Sequence, residues 1–312
     1  MIHLAIRGHD LSGEYTPKQL AQAVGAKKIR NVQFALNASF PDLSAPEKMS
    51  PGMGTFFKNE FQEQGVQIAL LSCYSNLIHP EPEEREKILQ KFERYLFHAR
   101  YFGASMVASE TGSVIAALGY SEENFSDEVF EDLIHVIQRL VRVGEKHKTM
   151  VGIEAGLNHP LYSNQRIAEL IERVPSDYLG IIYDPTNLIT AKTAADQVAL
   201  VEEAFTLFGE KIVCLHLKDF QLSGEEVIPV PLGEGQIRYP EILQLLIKHK
   251  PYCYVVLEET KDAGIDRAVA LIEGLDLKNL LGAFVNDCLR EHGSDFLVFF
   301  KDADINANFY RA

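Results

Sequence analysis

Eight short apolar runs, each followed by a longer segment of helical period, constrain this chain more than anything else in it. They read IHLAIR from Ile2, VQFAL from Val32, VQIALLS from Val66, SMVASE from Ser105, MVGIE from Met150, GIIYD from Gly180, IVCLHL from Ile212 and YVVLE from Tyr254. Their Val, Ile and Leu content is that of strands covered on both faces, as in a parallel sheet. Between two of these runs, Ile88, Phe92, Tyr95, Leu96, Ala99 and Phe102 recur at helical spacing; further on, Phe130, Leu133, Ile134, Ile137, Leu140 and Val141 do the same. Pro240 falls just inside the start of a helix carrying Ile242, Leu243, Leu246 and Ile247, where its missing N–H costs nothing. Such alternation predicts parallel strands joined by right-handed crossovers, and eight units in about 275 residues fit one closed (β/α)8 barrel over residues 1–275.

The 312 residues suffice for a single large domain of this kind. A net charge of −14 argues against any partner held through a field of phosphates, so nucleic-acid binding is not expected. No stretch approaches the roughly 18 uninterrupted apolar residues of a membrane span, and the opening MIHLAIRGHD carries charge where a signal peptide would not. These features predict a cytosolic enzyme. Cys73, Cys214, Cys253 and Cys288 are widely spaced and form no CxxC pair, so reduced, mostly buried thiols are expected.

Four of the runs end in residues able to bind a metal: Glu154, Asp184, His216 and Glu258. Strand ends of a parallel barrel converge on one open face, so these four would surround a common point. Three carboxylates and an imidazole form a hard oxygen and nitrogen set, suited to Mn²⁺, Mg²⁺, Co²⁺ or Zn²⁺. Strand alternation puts Glu258 on the same face as Val256 and Tyr254, and Glu259 on the other. Taken singly, each acid has a second reading as a cap for the following helix, Asp184 before Pro185 above all, and His216 one as a satisfied strand-end histidine. On the same face His9, Asp10, Asn76, His79, Glu110, His159 and Asn187 are placed to orient substrate hydroxyls. Lys218 and Arg238 suit a carboxylate, a phosphate or a developing oxyanion. No phosphate-binding loop or dinucleotide fingerprint occurs, so no nucleotide cofactor is expected. His98, His135, His147, His249 and His292 read as structural, and the acidic clusters Glu81–Glu86 and Glu122–Glu131 as solvated helix starts.

The segments GIEAG with Glu154, YDPTN with Asp184 and Asn187, CLHLKD with His216, Lys218 and Asp219, and VVLEE with Glu258 resemble the xylose isomerase-like TIM barrel superfamily. Support comes from IRGHD at residues 6–10, CYSNLIHPEPEER from Cys73, SETGS from Ser109 and PLGEGQIRYPEIL from Pro231, so the likeness covers roughly residues 2–275. It implies one divalent ion held by Glu154, Asp184, His216 and Glu258. In the epimerase branch the two metal-holding glutamates also act as acid and base, which carries to Glu154 and Glu258. The glycines of the Pro231-Leu-Gly-Glu-Gly-Gln loop would allow close backbone approach, with Glu234 structural.

The function expected is a metal-dependent isomerase or epimerase of a sugar or sugar phosphate, working by proton transfer through an enediolate. An inosose-type dehydratase is the nearest alternative. An apurinic-site endonuclease is disfavoured: its branch carries a histidine where this chain has Asn187, and its later aspartate-x-histidine pair is missing around Val227–Leu232. A non-catalytic barrel binding a sugar or a protein is the reading from another class. Residues 276–312 fall outside the resemblance, and their Leu280, Leu281, Phe284, Val285 and Leu289, with FLVFF at 296–300, predict an extension packed on the barrel or on a second subunit of a homo-oligomer.

Overall fold

A computed structural model describes residues 2–275; the expectations for residues 276–312 lie outside the described residues. The strands are β1 (His3–Arg7), β2 (Asn31–Phe34), β3 (Gln67–Ser72), β4 (Met106–Glu110), β5 (Met150–Glu154), β6 (Leu179–Tyr183), β7 (Ile212–Leu217), β8 (Asp219–Ser223), β9 (Glu226–Val230) and β10 (Tyr254–Leu257). All but β8 and β9 close into a parallel barrel in the order β1-β10-β7-β6-β5-β4-β3-β2. Each of the eight apolar runs becomes one of its strands. Helices α1 (Pro17–Ala26), α2 (Leu36–Ser39), α3 (Pro51–Gln62), α4 (Pro82–Phe102), α5 (Asp127–His147), α6 (Asn164–Arg173), α7 (Gln197–Phe208), α8 (Tyr239–His249) and α9 (Ala263–Glu273) form the connections. No described helix is long and apolar enough to cross a membrane.

Helix starts follow side-chain chemistry. Thr16 and Gln19 form a reciprocal capping box ahead of Pro17, and Ser50, Ser126 and Ser163 each accept a backbone N–H at the start of α3, α5 and α6. The acidic clusters do stand at helix starts: Glu83 and Glu84 lie in the first turn of α4, Asp127 and Glu128 in that of α5.

The main core lies between strands and helices, where Phe34 of β2 packs on Phe57, Phe61 and Phe102 with ring centroids 5.1–6.4 Å apart. A smaller cluster of Ala5, Ala69, Met106, Ala108, Ile182, Cys214 and Val256 fills the barrel itself. Of these, Ala5, Met106, Ala108, Ile182, Cys214 and Val256 share strand parity with the polar groups above them, Arg7, Glu110, Asp184, His216 and Glu258.

The antiparallel hairpin β8–β9, leaving the barrel directly after Lys218, is the element the eight-unit reading did not contain. Asp219 anchors it: its carboxylate accepts from the backbone N–H groups of Phe220, Gly233 and Ile237. A Cβ on Gly235 would stand 2.1 Å from Phe220 O, so this loop closes only around glycine, and Glu234 pairs with Arg267.

Candidate metal centre

Glu154 ends β5, Asp184 follows β6, His216 is the penultimate residue of β7, and Glu258 follows β10. These strands are successive neighbours in the barrel, and one ligand atom from each residue lies within 4.8 Å of all the others. All four side chains are buried. Glu258 stands two residues beyond interior Val256 and joins the cluster, whereas Glu259 adopts φ +48° and leaves its side chain 44% exposed.

Asp184 divides its two oxygens between two tasks. Oδ1 accepts from Thr186 N at 2.8 Å and Asn187 N at 3.3 Å, capping the short 3-10 turn after β6. Oδ2 is buried without a hydrogen-bond donor; Lys218 Nζ stands 3.0 Å away but off the line of a hydrogen bond. Oδ1 thus does the work of a cap, and Oδ2 faces the cluster with no hydrogen bond of its own.

The other donors are held from behind. Glu154 Oε1 accepts from Asn187 Nδ2 at 2.9 Å and lies 3.1 Å from His216 Nδ1. Glu258 Oε1 accepts from Arg7 Nη1 at 2.5 Å, while Oε2 accepts from Lys218 Nζ at 2.7 Å. Arg7 itself is clamped by both oxygens of Asp10.

Burial and the crowding of charge set the electrostatics. Burial pushes Asp184 up to about 7 against the pull of Lys218, with the carboxylates of Glu258 and Glu154 adding to the push. Burial acts to raise Glu258 as well, but His216, Lys218 and Arg7 overcome it and hold this carboxyl well below the usual range. His216 loses from burial and gains more from Glu154, reaching about 9; Lys218 is raised likewise by Asp184 and Glu258. Three carboxylates in a buried space, one with an oxygen lacking any donor, fit a divalent cation, and the oxygen and imidazole donor set suits a hard or borderline ion.

The second tier divides. Asn187 and Lys218 touch the cluster directly. Glu110 is paired in register with Glu154, and burial together with the Glu154 charge raises its carboxyl. His159 donates from Nδ1 to Gly112 O at 2.7 Å and presents Nε2 3.9 Å from Glu110 Oε1. His9 stands edge-on to Tyr74, and burial together with Arg7 lowers it to about 4, so its ring is neutral at pH 7.

Three residues expected at the substrate are hydrogen-bonded away from the cluster. Asn76 is buried and spends its amide on the backbone of Ser113 and Ile115, clamping the loop after β4. His79 accepts from Glu81 N at the start of α4, and Arg238 is engaged by Glu241 on the exposed first turn of α8. None of the three is hydrogen-bonded to the four-residue cluster. The sequence reading passed over Arg7 and Gln33. Each is a polar residue inside an apolar run at the parity of the barrel interior, and that signal was available.

The model of the xylose isomerase-like TIM barrel family matches residues 48–279. No curated protein matches by sequence. Several solved structures are similar in fold. The probable 3-DHS dehydratase AsbF of Bacillus anthracis aligns with TM-score 0.68 and 16% identity, over 87% of this chain and 98% of that one. D-psicose 3-epimerase of Clostridium cellulolyticum H10, solved with D-tagatose, gives 0.64 and 14%, over 89% and 99%. A xylose isomerase-like TIM barrel protein of Mycobacterium smegmatis, in complex with magnesium, gives 0.64 and 16%, over 86% and 89%.

Proposed function

Because the chain belongs to the xylose isomerase-like TIM barrel family, we propose that it is a divalent-metal-dependent isomerase or epimerase of a small sugar or sugar phosphate. The observation that carries this is the buried convergence of Glu154, Asp184, His216 and Glu258 from four neighbouring strands. These residues would hold the ion. When bound, a divalent ion polarises the substrate carbonyl and an adjacent hydroxyl, stabilising the charge that develops as a carbon-bound proton leaves.

The protein's own groups do the rest. Glu154 is oriented by Asn187 through Oε1, which leaves Oε2 as the oxygen to take the proton. Lys218, two residues beyond His216, brings an ammonium beside Glu258 for a developing oxyanion. Glu258 returns a proton on the other side of the planar enediolate in an epimerisation, and Glu110 and His159 bind hydroxyls at the mouth.

One asymmetry favours a second reading. Both oxygens of Glu258 are held by cationic donors, so Glu258 is the weaker base of the pair. A keto-polyol dehydratase needs a single base, Glu154, with the leaving hydroxyl protonated by an acid rather than a proton returned to carbon. Among the chains of similar fold, one is a 3-epimerase and another a probable dehydratase.

The test is a panel of ketoses, aldoses, their phosphates and keto-polyols in deuterated water, with Mn²⁺-loaded protein, followed by NMR and mass spectrometry. Deuterium at the carbon next to the carbonyl, with isomer or epimer formation, supports the first reading. A product lighter by one water supports the second. No exchange and no product across the panel sinks both.

A further inference from the structure

Gln33 is among the most buried polar residues of the barrel and belongs to no part of the metal-binding quartet. It lies on β2, where Val32 and Phe34 point into the helix-facing core, so Gln33 points into the barrel. Its side chain crosses the interior to β7, which is separated from β2 in the barrel by β1 and β10. There Gln33 Oε1 meets His216 Nε2 at 2.8 Å. Its amide nitrogen donates to Ser72 Oγ at 2.8 Å and Tyr74 OH at 2.9 Å, so both amide hydrogens have an oxygen.

We propose that Gln33 is a positioning residue that fixes the tautomer of His216 for metal binding. A carboxamide oxygen only accepts, so the nitrogen facing it must carry the hydrogen. That leaves Nδ1, 3.1 Å from Glu154 Oε1 and 3.8 Å from Glu258 Oε2, as the nitrogen available to an ion lodged among the carboxylates. In this orientation the Ser72 and Tyr74 hydroxyl oxygens accept the two amide hydrogens. The reverse orientation would set an N–H against Nε2, place the ring hydrogen on Nδ1 and point it at Glu154, which would block coordination. Outer partners of ligating histidines act in this way on ring orientation and ligand basicity.

The inference rests on the proposed metal site, and its experiment separates the two. Co²⁺ and Mn²⁺ affinities of the full-length protein are measured by competition with a chelator of known affinity, with the visible Co²⁺ spectrum recorded alongside. Gln33→Met, of similar length and without an acceptor, is expected to weaken both ions by roughly 10- to 100-fold. Gln33→Glu restores the acceptor and is expected to return affinity to within a few-fold of wild type, with the wild-type Co²⁺ band shape. The Co²⁺ band shape separates this from a purely structural role: a carboxylate also accepts from the Ser72 and Tyr74 hydroxyls, but only an acceptor at Nε2 returns the wild-type ligand field of the histidine. Should Gln33→Met fail to fold, Gln33→Asn, which withdraws the acceptor by one carbon, is expected to weaken both ions in the same direction. Wild-type affinity in a folded Gln33→Met or Gln33→Asn overturns this inference and leaves the metal site standing. A wild-type protein that binds neither ion overturns both together.

Discussion

Arg7 donates from Nη1 to Glu258 Oε1 at 2.5 Å, joining two residues 251 positions apart at the ends of β1 and the neighbouring β10. The guanidinium also takes both oxygens of Asp10, so one buried cation compensates two buried carboxylates. Removing it leaves Asp10 without its cation and Glu258 with Lys218 alone in a low-dielectric interior. Arg7→Met is therefore expected to cost about 3–5 kcal/mol in chelated protein, measured by urea unfolding. Added Mn²⁺ is expected to restore part of this by supplying charge to Glu258.

Glu154 and Glu258 have the same side chain in different settings. With Gln in place of either, turnover is expected to fall by roughly 100- to 10,000-fold, the usual span for a lost proton-transfer group. Mn²⁺ affinity is expected to fall in both variants. Single-turnover deuterium exchange distinguishes the readings: epimerisation requires both residues, whereas dehydration tolerates loss of Glu258 far better than loss of Glu154.

Metal removal is expected to lower thermal stability. An ion that binds only the folded state at 100 times its Kd contributes about 2.7 kcal/mol, or a melting shift of roughly 4 °C for a chain this size. Scanning calorimetry of chelated and Mn²⁺-loaded protein checks this. In His216→Ala the shift is expected to shrink sharply, because a quarter of the donor set is gone.

Gly112 has φ +97°, and a Cβ there would stand 2.2 Å from Asn76 Oδ1. Its carbonyl also holds His159 Nδ1. Gly112→Ala thus combines a strained backbone with a clash against the residue that clamps this loop, and a loss of about 3 kcal/mol is expected by urea unfolding. A neutral result would mean that the loop rearranges cheaply.

His9 has a folded pKa of about 4, below its ordinary 6.5, through burial and the nearby Arg7. Between these values the unfolded chain takes up a proton that the folded chain refuses, so acid favours unfolding. The stability present above pH 6.5 is lost progressively as pH falls towards 4, by up to about 3 kcal/mol. His9→Asn lacks this titration. Urea unfolding of chelated protein at pH 7.5 and 4.5 is expected to show a smaller acid loss in the variant than in wild type.

The barrel was legible because its strands are continuous apolar runs, and burial on both faces leaves few other places for Val, Ile and Leu in such density. Parity carried the reading further: Glu258 rather than Glu259 enters the cluster, two residues beyond an interior valine. The hairpin after Lys218 was not legible, since Asp219–Val230 is short, half polar and stabilised by Asp219 reaching the backbone of Gly233 and Ile237. Asn76, His79 and Arg238 carry the same kinds of polar side chain as Glu110, His159 and Asn187, and only their hydrogen-bond partners tell them apart.

By itself the sequence determined the order of strands and helices, the face on which four ligand-type residues stand, and the excess of negative charge. Those follow from periodicity and composition, which are local and additive. Only the tertiary structure decided which groups hold those four residues: Arg7 and Lys218 on Glu258, Asn187 on Glu154, Gln33 on His216. Such pairings depend on the register and closure of the barrel, which bring side chains tens or hundreds of positions apart to within 3 Å of each other. A hydrogen bond needs that distance and an angle, and neither is written in the spacing of residues along a chain.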